Sequence, residues 1–150
     1  MDIIDQNYPK ARLSWVTQNI SCADASDGAI DLSVEGGTPD YAFSWTHGPL
    51  DEDLTDLAAG TYIFSIKDQN ACGVGDTITL DEPAAITFNP EVTSVSCRDQ
   101  ADGKIELFPN GGYGDFTYAW SNGSYDNPIS PLTGGEYSVI VTDLVGCSKD

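Results

Sequence analysis

The sequence predicts an all-β protein built from two tandem Ig-like β-sandwich modules. Three observations support this fold class: short segments of alternating apolar and polar residues, a turn-rich composition with 15 Gly and 8 Pro, and an internal repeat offset by 75 residues. A period of two is typical of strands that bury one face. No window keeps a helical period, so almost no helix is expected.

The internal repeat covers most of the chain. Residues 20–75 align without a gap to residues 95–150, and 18 of the 56 aligned positions are identical. Similarity at a fixed period marks repeated modules. The predicted organisation is the tail of a preceding repeat over residues 1–10, a first module over 11–82, a linker over 83–85 and a second module over 86–150.

Each module is predicted as a series of short strands separated by turns, which is typical of a sandwich. In the first module the strands are expected near Ala11–Ile20, Ala29–Glu35, Tyr41–Thr46, Leu54–Leu57, Thr61–Asp68 and Thr77–Leu80. In the second module the clearest are Lys104–Phe108, Phe116–Ser121 and Glu136–Asp143.

The second module is expected to lack its last strand. The strand near Thr77–Leu80 closes the first module, and its counterpart 75 positions later would fall beyond Asp150. We therefore expect the chain to be a fragment of a longer protein. A missing strand leaves an unpaired sheet edge, which we expect to pair with another copy of the chain, for instance with its Asp2–Asp5 segment.

A glycine turn precedes a strand with alternating aromatic residues in each module. Gly36 and Gly37 can adopt the positive φ angles of a sharp reversal, and the strand that follows ends at Trp45; the second module repeats the pattern and ends at Trp120. The two Trp residues could line a sugar-binding face. Their alternation with small polar residues instead favours a buried core position.

A second shared pattern, Leu-x-x-Gly-x-Tyr, ends at Tyr62 in the first module and at Tyr137 in the second. It resembles the tyrosine corner of Ig-like folds, in which the Tyr hydroxyl bonds to the backbone a few residues upstream. Both Tyr residues are therefore expected to have a structural role.

The four cysteines follow the repeat, because Cys22 and Cys97 are 75 positions apart and so are Cys72 and Cys147. Four cysteines allow three pairings. The duplication favours one disulfide per module, Cys22–Cys72 and Cys97–Cys147. A disulfide in each small β-module is typical of an oxidising, extracellular setting.

Acidic residues dominate the composition, with 24 Asp and Glu against 6 Lys and Arg and a formal net charge of −18. This charge disfavours nucleic acid and anionic membrane surfaces as partners, because proteins bind both through Lys and Arg. The simplest interpretation is a self-repelling, solvated surface. The alternative is cation binding in acidic loops.

A calcium site would draw on Asp24, Asp27, Asp68 and Asn70, which flank the first two cysteines. Ca²⁺ takes six to eight oxygen ligands, and a Cys22–Cys72 disulfide would bring these groups together. The alternative is that Asp27 belongs to a turn and Asp68 caps a loop through its own backbone. The counterpart of Asn70 is Val145, which offers no side-chain oxygen. No other cofactor is expected.

No catalytic constellation is recognisable, so the chain is not expected to be an enzyme. His47 is the only histidine, and its counterpart in the second module is Asn122. A single histidine in a polar loop, with no Cys or Ser partner nearby, is a poor catalytic candidate. Two small modules without a long loop also leave little room for a cleft.

The combined motifs resemble a known family. They are Cys22-x4-Asp27-Gly28-x-Ile30, Gly36-Gly37-Thr38-Pro39-x-Tyr41-x-Phe43-x-Trp45 and Leu57-x-x-Gly60-Thr61-Tyr62-x3-Ile66-x-Asp68-x3-Cys72. Together they are similar to the SprB repeat, a module found in many copies in very large surface adhesins of gliding bacteria. The second module departs from the pattern at Tyr113-Gly114, where the family prefers Thr-Pro.

The resemblance implies an extracellular, cell-surface protein, exported by a type IX secretion system, in which the repeats form a spacer or scaffold of a gliding-motility or adhesion filament. The implied partners are neighbouring repeats of the same polypeptide and, as a further expectation, surface polysaccharide or other cell-surface proteins. One alternative is a carbohydrate- or Ca²⁺-dependent binding module with contacts in loops Gly48–Asp53 and Asn122–Pro128. Another is an accessory domain of a secreted hydrolase, since fold does not fix function.

Overall fold

The computed structural model describes residues 11–46, 48 and 50–150 and is all-β over that part of the chain. Twelve strands and no helix occur among these residues, so no described segment is a helix that could cross a membrane. The prediction of an all-β protein with tandem modules is confirmed. His47 and the predicted N-terminal tail lie outside the described residues.

The chain divides into two compact units. The first takes in the described residues up to Ile20 together with Asp24–Glu82, and the second takes in Ser21–Ala23 together with Pro83–Asp150. A three-residue segment around Cys22 therefore belongs to the second unit, although it precedes that unit's strands by some sixty positions.

The first unit consists of two three-stranded sheets, each with antiparallel neighbours, in the orders β1-β2-β4 and β3-β5-β6. The strands are β1 Arg12–Gln18, β2 Gly28–Glu35, β3 Ala42–Trp45, β4 Leu54–Leu57, β5 Gly60–Lys67 and β6 Gly73–Leu80. Alternate residues of β2 and β5 face inward, as their sequence pattern predicts. The core consists of Ile20, Ile30, Leu32, Trp45, Leu54, Tyr62, Phe64, Ile66, Ile78 and Leu80.

The second unit repeats this arrangement with sheets β7-β8-β10 and β9-β11-β12. Its strands are β7 Thr87–Thr93, β8 Gly103–Asn110, β9 Thr117–Trp120, β10 Ile129–Leu132, β11 Val139–Thr142 and β12 Ser148–Lys149. Its core is smaller and consists of Ile86, Leu107, Trp120, Ile129, Leu132, Val141 and Cys147.

The last strand of the first unit is longer than the sequence predicts. β6 begins at Gly73 instead of Thr77, and it pairs with the whole of β5, from Gly60↔Leu80 to Lys67↔Gly73. The Gly-rich start of β6 has little intrinsic strand propensity. Gly75 is nevertheless needed there, because a Cβ at this position would lie 2.3 Å from the carbonyl oxygen of Phe64.

The last strand of the second unit, which the sequence predicts to be missing, is represented by a very short β12. Its two residues pair with Val141 and Thr142 of β11. β11 begins at Val139, whereas the sequence predicts a strand from Glu136. The first residues of that predicted strand correspond to the residues of β5 that pair with the end of β6. Among the described residues of the second unit, no equivalent of that end of β6 pairs with them.

A glycine begins the second strand of each unit. Gly28 and Gly103 are the first residues of β2 and β8. A Cβ on Gly28 would lie 2.9 Å from the carbonyl oxygen of Leu57, and one on Gly103 would lie 3.0 Å from that of Leu132. Both glycines therefore allow β4 and β10 to approach closely.

The turn before each final strand provides a test of backbone strain. Gly146 has φ 96°, whereas its counterpart Ala71 has φ 61°, a left-handed conformation that costs an L-residue about 1–2 kcal/mol. Nothing lies within 4 Å of a Cβ placed on Gly146. Gly146→Ala is therefore expected to destabilise the second unit by about 1 kcal/mol through backbone conformation alone, measured by chemical denaturation.

Ala71→Gly is the matched reverse change. It is expected to leave the first unit equally stable or to stabilise it by up to about 1 kcal/mol, because relief of strain is partly offset by the entropy of glycine. A destabilised Ala71→Gly variant would contradict this account of the turn.

Candidate functional site

The two Trp residues that could line a sugar-binding face are buried. Trp45 is 5% exposed and Trp120 is 6% exposed. Each indole N–H donates a hydrogen bond of 2.9 Å to a loop carbonyl, that of Asp51 or Asp126. Neither ring therefore presents a face to a ligand, and both hold the following loop against the core.

Both Tyr residues form the corner that their motif predicts. The Tyr62 hydroxyl donates to the carbonyl of Ala58 at 2.8 Å, and the Tyr137 hydroxyl donates to that of Thr133 at 3.0 Å. The bond spans four residues in each unit and fixes the chain where it enters β5 or its counterpart.

The candidate binding loops are also tied to the core. In the first unit Asp53 accepts a hydrogen bond from the backbone N–H of Leu32 at 3.0 Å. In the second unit Asn127 accepts from the N–H of Leu107 and donates to its carbonyl, both at 2.8 Å. These side chains stabilise the loops and are not free to contact a ligand.

Asp68 organises the turn between β5 and β6. Its Oδ1 accepts backbone hydrogen bonds from Asn70 at 3.0 Å and from Cys72 at 2.9 Å, and its Oδ2 accepts one from Thr38 at 3.3 Å. Three N–H groups thus share one carboxylate. Because the bonds go to the backbone, the side chain at position 70 can change without loss of the turn.

Asp143 has the same role in the second unit. It accepts backbone hydrogen bonds from Tyr113 at 2.9 Å, Val145 at 3.1 Å and Cys147 at 2.9 Å. Burial by itself raises the pKa of this carboxyl, but the backbone N–H groups outweigh it and hold its pKa below the ordinary value of 3.8. Asp143 is therefore a buried anion that holds the turn in place.

The four residues proposed as calcium ligands do not come together. The backbone N–H of Asp24 donates to Glu82 at 2.8 Å, beyond the end of β6, whereas Asp68 and Asn70 lie in the turn before β6 begins. Eight residues of extended strand separate these ends by about 23 Å. No group of three or more Asp, Glu, His or Cys side chains suited to a metal occurs among the described residues.

The cysteines pair differently from the prediction. Cys22 is bonded to Cys147, with their Cα atoms 5.6 Å apart, while Cys72 and Cys97 are free and exposed. The predicted pairs Cys22–Cys72 and Cys97–Cys147 are therefore wrong. Sequence equivalence showed which cysteines correspond, but not at which end of a module each one lies.

The length of β6 explains the error in the first unit. Cys72 immediately precedes β6, while the segment next to Cys22 lies at the far end of that strand, where the N–H of Ile20 donates to the carbonyl of Asp81 at 3.0 Å. A disulfide requires Cα atoms about 4.4–6.8 Å apart. The strand holds these positions at about 23 Å.

An apolar groove in the second unit is lined by the ends of β7, β8 and β10 and by the segment that follows β10. Its volume is about 190 Å³, and its apolar lining includes Val95, Gly103, Ile105, Leu132 and Tyr137. In the first unit the corresponding space is filled, since the side chains of Ile20 and Leu80 approach Gly28 and are each 1% exposed. The groove thus corresponds to the place that Ile20 and the end of β6 occupy in the first unit.

The comparisons with known proteins agree with the repeat geometry. The SprB repeat family matches residues 14–50 and 89–125, one segment in each half of the chain. The chain carries two tandem SprB repeats. SprB repeats belong to cell-surface proteins and are structural repeats. No curated protein and no solved structure shows significant similarity to the chain.

The buried carboxylate of Asp143 yields a prediction about stability and pH. Asp143→Asn removes one acceptor oxygen and is expected to destabilise the second unit by about 1–3 kcal/mol. Because the pKa of Asp143 is lowered in the folded state, its carboxylate stabilises the fold above pH 3.8. This stabilisation is lost as the pH falls below that value. Thermal unfolding of both proteins across this range should show their difference shrinking at acidic pH.

Asp115→Asn is the control, because it makes the same change of charge at an exposed position of the second unit. It should leave the unfolding temperature nearly unchanged. An effect as large as that of Asp143→Asn would show that the loss of stability comes from the change in net charge. It would contradict a specific role of Asp143 in the turn.

The groove yields a prediction about strand complementation. A synthetic peptide spanning Gly75–Asp81 is expected to bind beside the start of β11, next to the residues that β12 already pairs with, and to fill the groove with Ile78 and Leu80. A peptide carrying Ile78→Asp and Leu80→Asp should bind at least about a hundredfold more weakly, because burying each apolar side chain contributes about 1.5–3 kcal/mol. NMR titration of the Val139 and Ile140 amides distinguishes the two peptides, and equal binding by both would contradict the assignment.

Proposed function

We propose that the chain is a non-enzymatic spacer and scaffold segment of a secreted bacterial cell-surface adhesin, working in a gliding-motility or adhesion filament. The observation that carries this proposal is the match of both halves to the SprB repeat. The partners proposed for it are neighbouring repeats of the same polypeptide. Export by a type IX secretion system is part of the same proposal.

The contacts within each unit support a spacer. The indoles, Tyr hydroxyls, turn carboxylates and loop amides all make hydrogen bonds inside their own unit. Each unit has its own core, and the loops among the described residues are short. Repeats of this kind are stabilised by contacts within a repeat and with its neighbours.

The acidic surface fits the same role. A formal charge of −18 over 150 residues keeps a long chain of repeats soluble and self-repelling. It also opposes collapse of the chain onto other acidic surfaces, because like charges repel within a Debye length. A filament that projects from a cell benefits from both effects.

Surface labelling tests the proposal. Antibodies raised against this chain should label intact cells of the source organism, and deletion of a core component of the secretion system should abolish the labelling. A cytoplasmic marker that is labelled only after permeabilisation is the control. Labelling of the repeat only in permeabilised cells would contradict a surface location.

A carbohydrate-binding role is the alternative that this proposal competes with. A spacer should show no saturable heat with surface polysaccharide in calorimetric titration. Binding that is lost when the exposed Tyr125 is changed to Ser would instead place a ligand on loop Asn122–Pro128, where this ring is 76% exposed.

A further inference from the structure

The two free cysteines occupy positions whose repeat counterparts are bonded. Cys97 corresponds to Cys22, and Cys72 corresponds to Cys147. The counterparts form the disulfide of the second unit, while Cys72 and Cys97 are both exposed. Each free thiol therefore stands where the repeat unit makes a disulfide in the other half of the chain.

A disulfide within one repeat is excluded by distance. In the first unit, β6 separates Cys72 from the segment next to Cys22 by about 23 Å. In the second unit, the eight residues of β8 do the same. Ser96, next to Cys97, bonds to Asp102 just before β8 begins, whereas the turn containing Cys147 is bonded through Asp143 to Tyr113, shortly after β8 ends.

The observed disulfide follows a register that a tandem array can repeat. The early cysteine of each sequence repeat is Cys22 or Cys97, and the late cysteine is Cys72 or Cys147. The bond joins the early cysteine of the first repeat to the late cysteine of the second, a separation of 125 residues. Each of these cysteines lies close to the linker. The residues that flank the Cys22 segment, Ile20 and Asp24, are bonded to Asp81 and Glu82. The turn of Cys147 is bonded through Asp143 to Tyr113, next to Gly112, whose N–H donates to the carbonyl of Ala84 at 2.8 Å.

We propose that Cys97 and Cys72 are the two half-sites that continue this register, so that consecutive repeats of the full adhesin are cross-linked early cysteine to late cysteine. Cys97 bonds to the late cysteine of the following repeat, and Cys72 bonds to the early cysteine of the preceding one. This inference rests on the proposed function, because it requires flanking SprB repeats.

The bond forms by thiol–disulfide exchange with a disulfide oxidant. One thiolate attacks the oxidant and releases a reduced thiol, which gives a mixed disulfide. The second thiolate then displaces the other half of the oxidant, so two protons and two electrons leave the cysteine pair as two reduced thiols form. Oxidising compartments outside the cytoplasm supply such oxidants.

A three-repeat chain tests the proposal. A second copy of residues 76–150 is joined directly after Asp150, which keeps the 75-residue offset, and the protein is oxidised with glutathione disulfide. Peptide mapping without reduction should show Cys97 bonded to the late cysteine of the added copy and should retain Cys22–Cys147. The original chain has two reactive thiols. The extended chain has two more cysteines but should also keep only two reactive thiols.

Two serine variants sharpen the result. Cys97→Ser should leave the late cysteine of the added copy open to alkylation, whereas Cys72→Ser should leave the new disulfide intact. Retention of Cys22–Cys147 and of buried Trp fluorescence shows that each variant has folded. In a folded variant, a disulfide within the added copy, a bond of its late cysteine to Cys72 or a persistently free late cysteine would overturn the proposal.

The same experiment distinguishes a further outcome. If Cys97 of the extended chain bonds to Cys72 of a separate molecule instead of to the late cysteine of its own added copy, non-reducing electrophoresis will show a ladder of oligomers, and a cross-link between consecutive repeats of one polypeptide is ruled out. The cross-link is formed in purified protein, so its absence would leave the surface-labelling test of the proposed function unaffected. Surface labelling could also fail while the cross-link forms in purified protein, so the two proposals are tested independently.

Discussion

The pairing of β5 with β6 determines how the ends of the first unit are arranged. Eight consecutive residue pairs keep β6 extended from Gly73 to Leu80, and an extended strand of this length cannot bring its ends together. The cysteines, the acidic turns and the proposed calcium ligands are distributed between these ends. Their failure to form a shared site follows from this one ladder of hydrogen bonds.

A single carboxylate provides the second constraint in each repeat. Asp68 and Asp143 bind the turn before the last strand through backbone N–H groups, and the same side chains reach across to the glycine turn that follows β2 or β8. Backbone-directed bonds tolerate changes in neighbouring side chains, which explains how Asn70 and Val145 occupy equivalent places. A shared fold can therefore persist at the modest identity of the two halves.

Much of the fold could be predicted from alternation and equivalence. The inward positions of Ile30, Leu32 and Ile66 follow from a period of two, and the Tyr62 corner follows from its motif. The start of β6 was missed because Gly73 and Gly75 are poor strand formers whose partner strand imposes the conformation.

The cysteine pairing could not be predicted for a different physical reason. A repeat alignment gives which residues are equivalent, but the distance between two residues of one module depends on whether a strand lies extended between them. The position of Cys72 just before an eight-residue strand was the available signal, and it was weakened because that strand was expected to be only four residues long. In the sequence, Asp143 is recognisable only as the counterpart of Asp68. No motif indicates that its carboxylate binds the backbone of the turn.

The disulfide also determines how tension would travel along the polypeptide. Cys22 and Cys147 are 125 positions apart in sequence but are joined by one covalent bond. A force applied at the two ends of the chain passes through the sulfur atoms and bypasses the residues between them. Roughly 400 Å of contour length, at about 3.3 Å per residue, is thus withheld from extension. The load then falls on the two strands outside the bridged segment, β1 and β12, and on their pairing with β2 and β11.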